Sequence, residues 1–472
     1  MDDESSPSVE RSAEKNRKTQ SYGLRTEILS PMETLAQSVS TIAPTATPAI
    51  TIPLVFTLAG NGSWLAYVLA TIAVLLVAWC IGRFASYSSS PGSLYSYAAM
   101  ILPPWLSSIA AWSLLLAYVA TASSVIGGLY QYVIFFVGRS GSHPVVAVVA
   151  SSLVAGVCVW IAWLDVKISA RLMLWIEVTS VFMILTLVAL VLVRHGFHVD
   201  PDQFYLQHMT GSGLRLGLVL AIFSFVGFES ATTMGAEARN PLKSIPRAVM
   251  SSSIFGGVFF TVCAYAEVMG LRAAGQDLGT SQAPLHALAT ANGLSLLGRL
   301  IDIGLLISLS AGTLACITAA ARVLLLMAHH GLAHDSICTT HARHETPHRA
   351  IVISGIAAVL PVIILAVRGN DGLDVYGWLG SLATYGFIIA YGLVSIALPR
   401  YLRDHHGIVH PATRVIPYLA LLAMLLALVG NLYPVPEGPY GKLPLIYLVY
   451  LSLSLVWFAL RSRAKSSARA ET

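Results

Sequence analysis

The residues best placed to do chemistry lie in one apolar stretch, from Ala221 to Val249. Within it, the run SFVGFES (224–230) interrupts a helical pattern, because Gly227 is a poor helix former and Glu229 is an ionisable group in a hydrophobic run. A carboxylate at mid-membrane depth costs about 2.5–3.5 kcal/mol on insertion scales. The combination of Gly227 with Glu229 in one apolar run predicts a functional site. Each residue alone has a structural alternative, close helix packing for the glycine and a buried hydrogen bond for the glutamate.

A second interruption is predicted in the run SVSTIAPTATP (38–48), which is rich in hydroxyl groups and small residues. Pro44 and Pro48 each remove a backbone hydrogen bond and clash with the preceding turn. Unwinding is favoured over simple kinks, which membrane helices also tolerate. Unwound backbone presents N–H groups at the start of one half-helix and carbonyls at the end of another, so a pair of breaks suits the two charges of a zwitterionic amino acid.

The elements that must position these residues are membrane helices. The chain is 56% hydrophobic and 11% charged, with a mean hydropathy of +0.72, whereas about a quarter of the residues of a soluble domain are charged. The net charge of +5 lies in loops between apolar runs and gives no reason to expect nucleic acid. The five cysteines fall mostly inside apolar runs without paired spacing, which favours small hydrophobic residues over disulfides.

Apolar runs of about 20 residues predict an all-α polytopic membrane protein with about twelve transmembrane helices. The predicted spans are 34–58, 63–84, 105–137, 143–164, 168–194, 213–236, 246–270, 296–327, 347–367, 373–397, 413–433 and 441–460. The interruptions fall in the first and sixth spans. That separation of five spans is the pattern of two inverted five-helix repeats, a 5+5 arrangement.

The distribution of charge divides the chain into a membrane core and two tails. Residues 1–30 carry both charge signs and no apolar run, which predicts a disordered cytosolic tail and no cleaved signal peptide. Residues 31–397 would form a transport core of spans one to ten, 398–460 spans eleven and twelve, and 461–472 a second cytosolic tail. About three quarters of the 28 Lys and Arg residues fall on the side of the N-terminus, so both termini are predicted to be cytosolic.

The stretch SFVGFESATTMGAEARNPLKSIPRAV (224–249) resembles the sixth-span signature of the amino acid–polyamine–organocation (APC) family of transporters. Three further segments resemble the same family and support it. They are SPGSLYSY (90–97) with PWL (104–106) at the entry to span three, RVL (322–324) with GL (331–332) at the end of span eight, and TP (346–347) at the start of span nine. The resemblance runs from the first span through the tenth.

The resemblance implies a leucine-transporter-like fold with broken helices one and six, and an amino acid permease of the plasma membrane that works by alternating access. By position, Phe223 would be an aromatic gate over the substrate, and Glu229 matches an acidic position implicated in gating and proton coupling. The amine would meet the span-six turn, which comprises Ser224, Phe225, Val226 and Gly227. The carboxylate would meet a cradle in span one that includes Ala43, Thr45, Ala46 and Thr47. Relatives usually carry a Gly-Ser-Gly or Gly-Ala-Gly turn there, whereas this chain has APTATP (43–48).

The predicted function is therefore proton-coupled secondary transport of amino acids. Two alternatives stay open. One is an exchanger of the same fold for amino acids or for amines and polyamines, and for the amines Glu177 and Glu229 supply acidic groups. The other is a transport-dead amino acid receptor. The sequence has no phosphate-cradling loop and no nucleophile set in motif context, so neither a cofactor nor an enzyme is predicted. The histidine-rich loop 329–348 fits no zinc-finger spacing and predicts a solvated loop rather than a metal site.

Overall fold

The structure is a computed structural model that describes residues 22–138, 143–196, 198–407, 410–433, 435 and 438–470. These residues are largely helical and contain no β-strand; Leu29 and Ala238 form an isolated bridge. The α-helices are α1 (Pro31–Ile42), α2 (Ile52–Ala59), α3 (Ser63–Ala85), α4 (Ser93–Ala99), α5 (Pro104–Phe136), α6 (Pro144–Leu164), α7 (Val166–Arg194), α8 (Pro201–Phe204), α9 (Gly211–Phe223), α10 (Pro241–Ala273), α11 (Pro284–Ala291), α12 (Ser295–His329), α13 (His348–Val367), α14 (Gly372–His406), α15 (Pro411–Leu432) and α16 (Leu443–Ala470).

Ten stretches of the described chain are long and apolar enough to cross a membrane, which confirms an all-helical polytopic architecture. One of them, Pro31–Ala85, covers the first two predicted spans. It contains α1, a π-helical turn at Thr47–Thr51, α2, a 3-10 turn at Gly60–Gly62, and α3. The predicted sixth span is represented by the shorter apolar helix α9, followed by irregular turns and a 3-10 turn at Ser230–Met234.

Helix α1 begins and ends where its sequence dictates. The Ser30 hydroxyl accepts from the Glu33 N–H, and a Glu33 carboxylate oxygen accepts from the Ser30 N–H at 2.8 Å. This reciprocal capping box satisfies N–H groups that the first turn leaves unpaired. The helix ends at Ile42 because Ala43 takes a left-handed conformation with φ of 48° and Pro44 has no N–H to continue the ladder.

The centre of the bundle is formed by α5, α12 and α14, which are the most enclosed of the long helices. Helices α12 and α14 both pack along α5, and α10 packs along α3. Helices α6, α15 and α16 lie at the periphery and expose large apolar side chains, for example Trp160, Leu426 and Leu453. Such side chains fit a hydrocarbon environment, where helices satisfy their own backbone groups.

Part of the predicted N-terminal tail belongs to the folded core. Residues 1–21 lie outside the described part of the chain, but Leu29 is fully buried. The N–H groups of Ile28 and Leu29 both donate to the carbonyl of Glu237 at 2.9 Å, and Arg239 N–H donates back to the Leu29 carbonyl at 2.8 Å. At the other end of the chain, the predicted tail from Arg461 continues α16 as far as Ala470.

Candidate functional site

The first interruption comprises Ala43, Pro44 and Thr45, between α1 and a π-helical turn. Ala43 N–H donates to the Ser40 carbonyl at 3.1 Å, and Ala46 N–H donates to the Ala43 carbonyl at 2.9 Å, so the chain turns tightly here. The Thr45 hydroxyl is buried and has no hydrogen-bond partner among the described residues. Single π turns occur frequently at functional sites, and a buried hydroxyl without a partner is a group that a ligand can satisfy.

The second interruption begins after Phe223, where α9 ends in a series of turns. Gly227 has a φ of 97°, a conformation that residues with a Cβ adopt only under strain. A Cβ added at Gly227 would lie 2.2 Å from Cγ2 of Thr41, at the end of α1. Glycine is therefore required twice, for its backbone conformation and for the close approach of the two broken segments.

Hydrogen bonds join helix α1 directly to the second interruption. The hydroxyl groups of Thr41 and Ser230 share a hydrogen bond of 2.7 Å, and the Ser230 hydroxyl also donates to the Gln37 carbonyl at 3.0 Å. The Ala231 N–H, freed by the break, donates to the Ser38 hydroxyl at 2.9 Å. The last two turns of α1 thus supply partners for the second interruption, as membrane-buried irregular backbone requires.

Glu229 is fully buried beside the second break, and two phenols hold its carboxylate. Tyr118 of α5 donates to Oε1 at 2.8 Å, and Tyr391 of α14 donates to Oε2 at 2.6 Å. Within the described part of the chain, no Lys, Arg or His forms an ion pair with Glu229.

The side chains of the span-six turn point in different directions. The ring of Phe223 packs edge-on against Tyr376 with 5.8 Å between centroids, and Gly380 leaves room for that ring. Phe225 packs against Phe260 with 5.3 Å between centroids, so only its backbone can face the breaks. The Ser224 hydroxyl shares a hydrogen bond of 3.1 Å with Tyr67.

The predicted site residues are enclosed in this conformation. None of Ala43, Thr45, Ala46, Thr47, Phe223, Ser224, Phe225, Val226 and Glu229 is more than 9% exposed, and Gly227 is buried too. Thr45 and Thr47 therefore face protein rather than lipid, and neither is open to water in this conformation.

A buried ion pair lies just beyond the 3-10 turn at Ser230–Met234. Arg322 of α12 donates to both carboxylate oxygens of Glu237, from Nε at 2.6 Å and from Nη2 at 2.8 Å. Both side chains are at most 2% exposed. Along the chain, the second interruption thus lies between the contact of Phe223 with Tyr376 and the ion pair of Glu237 with Arg322.

Three buried residues were not singled out by the sequence, and two of them are tyrosines that no local pattern marks. Tyr118 and Tyr391 come from spans far from Glu229 in the chain, and only the packing of α5 and α14 brings them together. Glu267 of α10 is fully buried, and neither of its carboxylate oxygens has a partner among the described residues. The rule that singled out Glu229, an acidic group inside an apolar run, also applies to Glu267.

Comparison with known protein families identifies the family to which this chain belongs. Residues 29–457 match the amino acid permease family. The chain belongs to this family. The resemblance to APC transporters predicted from the sequence is thereby confirmed, and the protein is an integral membrane protein of a transporter family rather than an enzyme family.

The chain is similar to transporters from a bacterium and from a mammal. It is 26% identical over 435 residues to a branched-chain amino acid permease of Bacillus subtilis, covering 86% of this chain and 87% of the relative. It is 23% identical over 420 residues to a methylthioribose transporter of the same organism, again covering 86% and 87%. Cationic amino acid transporter 4 of Mus musculus is 25% identical over 353 residues, or 70% of this chain and 54% of the relative.

Proposed function

We propose that this permease is a secondary active transporter that carries amino acids across the plasma membrane by alternating access, coupled to protons. In this proposal Pro31–Ala85 forms two spans that reverse direction at Gly60–Gly62, and α9 with the turns to Met234 forms a sixth. The total is then twelve spans, in which the first ten form two inverted repeats of five, with both termini cytosolic.

The observation that carries the proposal is the close approach of Gly227, in the second interruption, to Thr41 at the end of α1, two residues before the first interruption. The N–H groups at the start of the second half of span one carry positive partial charge, and the carbonyls at the end of α9 carry negative partial charge. Because the two segments meet, both partial charges face one location. A carboxylate bound near Ala43–Thr47 and an ammonium bound near Ser224–Gly227 would satisfy both, and the unpartnered Thr45 hydroxyl would gain an acceptor.

In this proposal Glu229 links proton occupancy to the state of the gates. The protonated carboxyl group carries no charge, so it can remain enclosed between Tyr118 and Tyr391 without a cation. The ionised group favours contact with water or with the substrate ammonium, and therefore an open conformation. A proton thus has different affinities for two conformations, which is what a shift in their populations requires.

The deciding experiment is uptake of a panel of labelled amino acids into proteoliposomes, with and without an imposed pH gradient. Glu229→Gln, which keeps the shape of the neutral form, should still bind and exchange substrate but lose accumulation driven by the pH gradient. Glu177→Gln is the matched control, because Glu177 is equally buried but accepts only from Ser308, at 2.9 Å to each oxygen. Gradient-driven accumulation that survives in Glu229→Gln would refute the coupling role, and binding without uptake by the native protein would indicate a receptor.

A cationic amine is a second candidate substrate, and Glu267 is the observation that favours it. A buried carboxylate without a hydrogen-bond donor needs a proton or a cation. If a cationic substrate supplies that charge, Glu267→Gln should abolish uptake of arginine and putrescine while preserving uptake of neutral amino acids. Equal loss of both classes would assign Glu267 to the general mechanism instead.

A further inference from the structure

A cavity of about 420 Å³ lies where the cytosolic ends of α14 and α15 meet the segment before α5. This volume falls in the range of about 300–1,000 Å³ that is typical of ligand pockets. Three arginines line it, Arg400 and Arg403 from α14 and Arg414 from α15. The cavity lies at the C-terminal end of α14, which is the tenth span. In the proposed orientation this end is on the cytosolic side of the membrane.

The charge of these arginines is largely uncompensated. Arg403 forms an ion pair with Asp404 at 2.9 Å, and both side chains are exposed. Within the described part of the chain, Arg400 and Arg414 form neither an ion pair nor a side-chain hydrogen bond. Two free guanidinium groups at one cavity favour a ligand with a phosphate group, which they can bind through paired N–H donors.

Apart from the arginines and Thr413, the residues that line the cavity are apolar or aromatic, and part of this wall is exposed. They are Ile101, Leu102, Ile396, Pro399 and Tyr418. The side chains of Ile396 and Tyr418 are 48% and 64% exposed, as on a surface that faces lipid. Both α14 and α15 change from charged to apolar residues at this level, so the cavity spans the depth at which lipid headgroups end and acyl chains begin.

We propose that this cavity binds an anionic phospholipid, with the phosphate group held by Arg400 and Arg414 and the acyl chain lying along Ile396 and Tyr418. A soluble phosphate compound would use the arginines but would leave the exposed apolar wall uncovered. An anionic lipid matches both halves of the cavity. Basic pockets between membrane helices on the cytosolic side are known to recognise such headgroups.

The test is lipid binding to the purified full-length protein by native mass spectrometry, with phosphatidylglycerol titrated against phosphatidylcholine. We expect one tightly bound phosphatidylglycerol, and a drop in its affinity of about fivefold for each arginine removed in Arg400→Gln/Arg414→Gln. The control is Lys243→Gln/Arg247→Gln, which removes two exposed positive charges at the start of α10, on the same proposed side. That control should leave the tight site unchanged.

Tyr418→Ala separates a lipid from a free phosphate, because it removes apolar wall and no charge. It should weaken phosphatidylglycerol binding and leave the binding of inorganic phosphate or glycerol 3-phosphate unaltered. The proposal is overturned if both double variants weaken the lipid equally, which would indicate diffuse surface attraction. It is also overturned if phosphatidylcholine binds as tightly, or if glycerol 3-phosphate displaces phosphatidylglycerol at equal concentration.

Discussion

Replacing Gly227 by alanine tests the contact on which the proposed site depends. The substitution carries two separate costs. An alanine held at a φ of 97° costs about 1–3 kcal/mol in backbone strain. Its Cβ would also lie 2.2 Å from Thr41 Cγ2 and 2.7 Å from Thr41 Cβ, and overpacking of this kind costs about 1–3 kcal/mol. The expected destabilisation is therefore about 2–6 kcal/mol.

The measurement is unfolding by SDS titration in mixed micelles, together with uptake in proteoliposomes. Adding Thr41→Ser separates the two costs, since serine keeps the hydroxyl that bonds Ser230 but lacks the methyl group that the new Cβ would strike. The double variant should recover part of the steric cost and none of the backbone cost. Gly156→Ala is the control, because a Cβ there meets nothing within 4 Å.

Two results would refute this reasoning. If Gly227→Ala unfolds at the same SDS fraction as the native protein and as Gly156→Ala, Gly227 does not contact Thr41 as described. If adding Thr41→Ser to Gly227→Ala restores no stability, the close approach of Gly227 to Thr41 contributes nothing to stability. Glycine would then be needed at position 227 for its backbone conformation alone.

Three further predictions follow from other contacts. Thr45→Val should leave the stability to SDS unchanged or slightly raised, because the Thr45 hydroxyl has no hydrogen-bond partner among the described residues. The same variant should bind substrate more weakly in a binding assay. If its affinity is unaltered, the carboxylate cradle lies elsewhere. Arg322→Gln should cost about 3–5 kcal/mol in SDS unfolding by leaving the Glu237 carboxylate buried and unpaired, whereas Arg322→Met with Glu237→Leu should restore most of that loss. His405→Cys, at an exposed position on the last turn of α14, should react with an impermeant maleimide only from the cytosolic side. Labelling from outside would contradict the proposed orientation.

The sequence predicts the parts of the site that depend on local chemistry. The breaks near Pro44 and Gly227 follow from backbone limits that proline and glycine express wherever they occur, and the structure has irregular backbone at both places. Glu229 was recognisable because an acidic residue is rare in an apolar run. Tyr118 and Tyr391 were not, because a tyrosine in a membrane helix is ordinary until its partner is known.

The N-terminal boundary and the orientation of Phe225 also lay beyond local reasoning. Residues up to 30 have the composition of a tail, yet Leu29 is buried because the backbone near Glu237 offers it hydrogen bonds. Phe225 falls between two predicted site residues, but its ring packs against Phe260 in the space that Gly256 leaves free, and not toward the breaks. Both outcomes depend on segments distant in the chain.

The hydrogen bonds between α1 and the second interruption have a consequence for biosynthesis. Gln37 and Ser38 accept from residues that are synthesised 193 positions later, Ser230 and Ala231. The Ala231 N–H, which the second interruption leaves without a helical partner, therefore finds its acceptor on a helix that has already been made. Lipid could not accept from that N–H, so the order of synthesis has α1 in place before the segment that depends on it.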